Sequence, residues 1–179
     1  HTDRERTQRR YPVLAAWRTL TDGGANPTHH LRRFDPDVVH VHNTVPNIGT
    51  DWLRGWPTPV VHTLHNFRPL CANALLYRDG HGCTLCPDGD PWAAVRHSCY
   101  RSSSLASLPI AVRNSRGLAA NPLISRADRI IALSGYAAGV MAGYGLPEER
   151  LSVVPNGIPA LHAGATAGPQ APRFAAVGR

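Results

Sequence analysis

The sequence predicts an α/β domain, a parallel sheet with helices on both faces, and three observations lead there. Short apolar runs rich in β-branched residues, at 37–42, 58–64, 128–133 and 151–154, are bounded by Pro, Gly, Asn or Ser, as buried strands are. Helix-patterned segments alternate with these runs, and parallel strands joined by helical crossovers satisfy that alternation. The composition agrees: 179 residues with 42% hydrophobic and 17% charged content exclude a disordered chain. A chain of this size buries about two-thirds of its unfolded surface as one domain.

Each element has its own local reason. The opening stretch, from His1 to Arg6, is polar. Residues 11–21 carry apolar side chains at helical spacing, with Pro12 suited to a first turn and Gly23-Gly24 to a stop. Residues 29–34 read as a second short helix. The first strand, 37–42, follows Pro36 and ends at Asn43. Residues 47–56 look helical and halt at Pro57, before the second strand at 58–64. The stretch 65–100 is rich in Gly, Pro, Asp and Cys and lacks periodicity, which marks a functional or metal-tied loop. Residues 101–127 are helical in pattern but interrupted at Pro109, Gly117 and Pro122. A third strand, 128–133, leads through Ser134-Gly135 into a helix at 136–144. The turn Pro147-Glu148-Glu149 then leads to the fourth strand, 151–154. Residues 160–172 read as a linker, and 173–177 begin another strand.

The net charge of +7 rests on 19 arginines and no lysine. A GC-rich genome imposes that bias, and this reading is preferred to a dedicated basic face. The arginines are scattered and not interleaved with aromatics, so no nucleic-acid partner is expected. No apolar run approaches the roughly 20 residues of a membrane helix, and nothing reads as a signal peptide. The expectation is a cytoplasmic protein, with residues 101–116 as a candidate for peripheral contact with an anionic membrane.

Parallel sheets bind ligands beyond the carboxyl ends of their strands. That rule selects Asn43, His65, Asn66, Ser134, Asn156 and Gly157. His40, His42 and His62 fall inside strands and read as satisfied interior groups. Ser134 either contacts a substrate or caps the next helix, and capping is favoured. Asn156-Gly157 reads as a turn that permits positive φ. Arg68, Arg101 and Arg113 are candidates for binding a phosphate or carboxylate of a substrate, against the plainer reading of surface arginine. All four cysteines lie in one loop as C-x11-C-x2-C-x12-C. Cys71, Cys83, Cys86 and Cys99 could supply four thiolates to a structural zinc, with His81 and His97 as alternative ligands. Disulfides and free thiols are the competing readings.

Two segments carry a resemblance. The run from Ala127 to Ser134, and the run from Gly145 to Ile158 with Pro155-Asn156-Gly157 in it, are similar to glycosyltransferase family four. The strands beginning at Pro36-Asp37 and Pro59-Val60 resemble its middle strands, and Phe174-Ala175-Ala176-Val177 resembles the first strand of its second domain. The resemblance implies a retaining transferase of the two-domain GT-B type. Residues 1–159 are then the Rossmann-like, acceptor-side N-terminal domain, and residues 160–179 a linker and the start of the donor-binding domain. It implies a nucleoside-diphosphate sugar as donor, a sugar acceptor, no catalytic metal, and His65 as the catalytic group that reaches the donor sugar. Asn43, Asn66, Arg101, Ser134, Asn156 and Gly157 are the substrate-binding candidates. The strand and glycine-rich loop that open the family have no counterpart here, and Gly23-Gly24 follows no buried strand. The chain alone is therefore expected to be inactive. The alternative is a stand-alone zinc-stabilised module for nucleic acid or protein.

Overall fold

The computed structural model describes residues 10–157 and the backbone of 174–177. The polar start and the linker expected at 160–172 lie outside the described residues. Helices α1 (Tyr11–Thr21) and α2 (Thr28–Phe34) lead into strand β1 (Val38–Val41). Strand β2 (Val60–Leu64) precedes a small hairpin of β3 (Tyr77–Arg78) and β4 (His81–Gly82). Then come α3 (Ala93–Arg96), α4 (Ser104–Asn114), α5 (Pro122–Arg126), β5 (Arg129–Ala132), α6 (Gly135–Gly143), β6 (Leu151–Val153) and β7 (Phe174–Val177). Five strands form one parallel sheet in the order β6-β5-β2-β1-β7, flanked by helices. The strand expected to open a second domain, β7, is hydrogen-bonded to β1, with Val39 opposite Ala175.

Strand alternation sorts the side chains. Val39, Val41, Val60, His62, Leu64, Ile130 and Ala132 are buried, whereas His40, Val61 and Ile131 between them are half-buried. The buried set joins Leu53, Leu123, Ile124, Met141 and Leu146 in one core, which places α5 and α6 against it. A brace fixes the pairing of β2 with β5. The Asp128 carboxylate accepts from the Val60 N–H at 2.8 Å and from Arg126 at 2.9 Å, and Arg126 also donates to the Trp56 and Thr58 carbonyls.

Three expectations change. Residues 47–56 do not form an α-helix: a turn at Thr44–Ile48 is followed by a single 3-10 helix, Asp51–Gly55. Tertiary contact overrides local pattern there. Ile48 bridges Ala25, Trp52 donates to the Gly49 carbonyl at 2.7 Å, and Trp52, Leu53 and Trp56 are drawn into the core. Pro109 does not interrupt its helix but sits inside α4. Proline there costs one i−4 hydrogen bond. Ser103 caps the helix by accepting from the Ala106 N–H, and burial of Ser107, Ile110 and Ala111 holds it. The first helix ends at Asp22, which takes the left-handed conformation (φ 56°) ahead of Gly23-Gly24.

Gly24 serves another purpose. Its φ is +152°, and a Cβ added there would lie 2.5 Å from the Gly49 nitrogen and 2.8 Å from the Asn47 carbonyl oxygen. Both are backbone atoms, tied to Ala25 by the Ala25 N–H to Asn47 carbonyl and Gly49 N–H to Ala25 carbonyl hydrogen bonds. Gly24→Ala is expected to destabilise the fold by about 2 kcal/mol or more through this clash and the strained φ. A urea titration checks it, and an unchanged midpoint would show that the loop gives way. No helix among the described residues is long and apolar enough to cross a membrane.

Candidate active site

Because the sheet is parallel, β1, β2, β5 and β6 deliver their carboxyl ends to one edge. Period-two alternation places His40 and His42 on one side of β1 and its extension. Their rings lie 4.1 Å apart, centroid to centroid. Beyond the end of β2, His65 is exposed and its ring is 5.0 Å from that of His42. His42 Nδ1 and His65 Nε2 are 2.7 Å apart, so one ring donates and the other accepts. His40 Nε2 meets Thr63 Oγ1 at 2.7 Å. Burial holds the pKa of His40 and His42 below the usual histidine value, and the neighbouring imidazoles push the same way. A row of three imidazoles ending in an exposed ring results, with His65 oriented by His42.

His62 points to the buried side and donates from Nδ1 to the Val41 carbonyl at 3.1 Å. Desolvation holds its pKa down at about 4, so it is neutral at physiological pH. Next to these groups opens a cleft lined among others by Asn43, Thr44, His65, Asn66, Arg68 and Arg113. Arg113, in the last turn of α4, is buried and pairs its Nε with Asp22 Oδ1 at 3.1 Å. Arg68 stacks on Tyr100, 5.1 Å from the ring centroid, and donates to the Ala72 carbonyl.

The family model for Glycosyltransferase Family 4 matches residues 3–160, most of the chain. The chain belongs to glycosyltransferase family 4. What matches is the family's N-terminal domain, and the parallel sheet is the Rossmann-like half of a GT-B fold. No curated protein and no solved structure matches it.

Within this glycosyltransferase domain, the candidates Asn43, His65 and Asn66 come together at one cleft. Arg68 and Arg113 line the same cleft, whereas Ser134, Arg101, Asn156 and Gly157 do not. Ser134 caps α6 by accepting from the Ala137 N–H at 3.1 Å, the favoured reading from sequence. Arg101 is exposed with its guanidinium over Tyr100. Asn156 and Gly157 are exposed beyond β6, and Gly157 is not in the left-handed region, which corrects the expected positive-φ turn.

The four cysteines of the glycosyltransferase domain are free thiols. Cys71 is buried and donates to Asn73 Oδ1, whereas Cys86 and Cys99 pack against Ala72, Ala94 and Ile110. Among the described residues no group of three or more His, Cys, Asp or Glu side chains is arranged to hold a metal ion. Burial and the neighbouring thiols push the Cys86 thiol up to about 11, which disfavours a reactive thiolate.

Reading the sequence misses two features of the site. The imidazole row has a signal in it, since His40-Val41-His42 alternates with period two and so shares a face. The ion pair of Arg113 with Asp22, 91 residues apart, has none.

Proposed function

We propose that this domain holds the sugar acceptor during a retaining transfer from a nucleoside-diphosphate sugar, with His65 meeting the donor at the cleft mouth. The observation that carries the reading is an exposed imidazole, fixed by a second imidazole at 2.7 Å, at the carboxyl edge of a parallel sheet in a family 4 domain. If His42 Nδ1–H donates to His65 Nε2, the other His65 nitrogen carries its proton outward. That N–H is free to donate to a donor-sugar hydroxyl or to the charge that grows on the departing phosphate. Asn43 and Asn66 supply amide groups beside it that can orient the reacting sugars.

The test uses the transferase in which this domain is joined to a donor-binding half. It is incubated with isotope-labelled nucleoside-diphosphate sugars and candidate acceptors, and the anomeric configuration of the product is read by NMR. Transfer with the donor's configuration kept is expected. An inverted product, or no consumption of any nucleoside-diphosphate sugar, would overturn the reading.

A further inference from the structure

We infer that the cleft recognises an anionic group on the acceptor, a phosphate or carboxylate seated between Arg68 and Arg113. This deepens the acceptor-side reading above and rests on it. Two arginines line the cleft and no carboxylate does. The nearby acid is Asp22, which lies behind Arg113 and outside the lining, and it engages only the Nε edge of that guanidinium. The contact of Arg113 with Asn121 Oδ1 is long, at 3.5 Å. Arg68 gives one nitrogen to the Ala72 carbonyl and lies close enough to Arg113 to feel its positive charge. Two guanidiniums, one of them only 8% exposed, thus face a cleft whose lining holds no carboxylate. Bringing like charges together out of water is costly unless an anion completes the set.

A second observation points the same way. Thr44 lines the cleft, is 3% exposed, and its Oγ1 has no hydrogen-bond partner among the described residues. A buried hydroxyl without a partner is uncommon and destabilising. Two guanidinium forks and one hydroxyl are the donor set that phosphate and carboxylate oxygens take, because planar N–H pairs match their geometry. Stacking on Tyr100 and the ion pair to Asp22 hold both forks before the ligand arrives, so little ordering remains to be done on binding.

The experiment titrates the chain at constant ionic strength with inorganic phosphate, a sugar phosphate, a sugar carboxylate, the neutral sugar and a nucleoside diphosphate. NMR signals of the Arg68 and Arg113 Nε–H groups are the readout. Saturable shifts of both signals with phosphate and with at least one sugar anion are expected, with none from the neutral sugar. The two sugar anions distinguish phosphate from carboxylate as the natural group. Arg68→Gln should weaken the sugar anion at least 10-fold, and Arg68→Lys should restore part of the loss. The wild-type signals alone keep the proposal testable if either variant folds poorly. Immobile guanidinium signals, or full affinity in Arg68→Gln, would overturn it. So would a nucleoside diphosphate that occupies these signals more tightly than either sugar anion, since the anion would then belong to the donor. Binding is read without turnover, so a failure of transfer in the domain joined to its donor-binding half would sink the transferase reading and leave this site standing.

Discussion

Replacing His65 by alanine is expected to lower sugar transfer by about 100-fold or more while leaving the fold intact. The large effect follows from the role proposed for the ring: it meets charge that develops only as the bond to the phosphate breaks. The small structural effect follows from its position. His65 is exposed beyond β2, and the contact it loses is a shared hydrogen bond with His42. His42→Ala should cost less, about 10-fold, because it removes the group that orients His65 and not the contact itself. Values of kcat/KM with a fixed acceptor, beside thermal midpoints, check both variants. Undiminished turnover in His65→Ala would remove that residue from the mechanism.

Acidification is expected to weaken the fold by on the order of 3 kcal/mol between pH 6.5 and 4 through His62 alone. Its ordinary pKa of 6.5 falls to about 4 in the folded chain, chiefly because burial strips water from the charged ring. Nearby His42, His65 and His40 add to the fall, and the Val41 carbonyl opposes it. The sign follows directly. The unfolded chain binds more protons in that window, so stability is complete above pH 6.5, declines as pH drops, and levels off below about 4. His40 and His42 are shifted in the same sense, so they steepen the decline. Urea midpoints at pH 7.5 and pH 4.5 measure the effect, and His62→Gln should flatten much of the difference. An equal slope in that variant would assign the acid sensitivity elsewhere.

The order of strands and helices was legible because each apolar run is short and closed by Pro, Asn or Gly. The strand-end rule then led directly to Asn43, His65 and Asn66, which do meet at one cleft. Where reading failed, the cause lay far along the chain. Residues 47–56 have a helical pattern, but Gly49 is pinned against Gly24 and Ile48 bridges Ala25, so the segment turns instead. Pro109 reads as a break in the sequence, yet the buried side of α4 outweighs one missing hydrogen bond. Arg113 looked like one surface arginine among many until Asp22 arrived from α1 to meet it.

The strand order also governs how the molecule comes to be. Strands β2 and β5 are neighbours in the sheet, yet residues 65–128 separate them, and β1 must find β7 across more than a hundred positions. Entropy lost in closing such loops comes before any reward from pairing, which slows chains built on distant contacts. The hairpin of β3 with β4 and the packing of α3 on α4 need no such search. During refolding, amide protection should therefore arise first in this inserted segment and last in the central ladder, so the histidines at the strand ends are aligned only once the slowest step is complete.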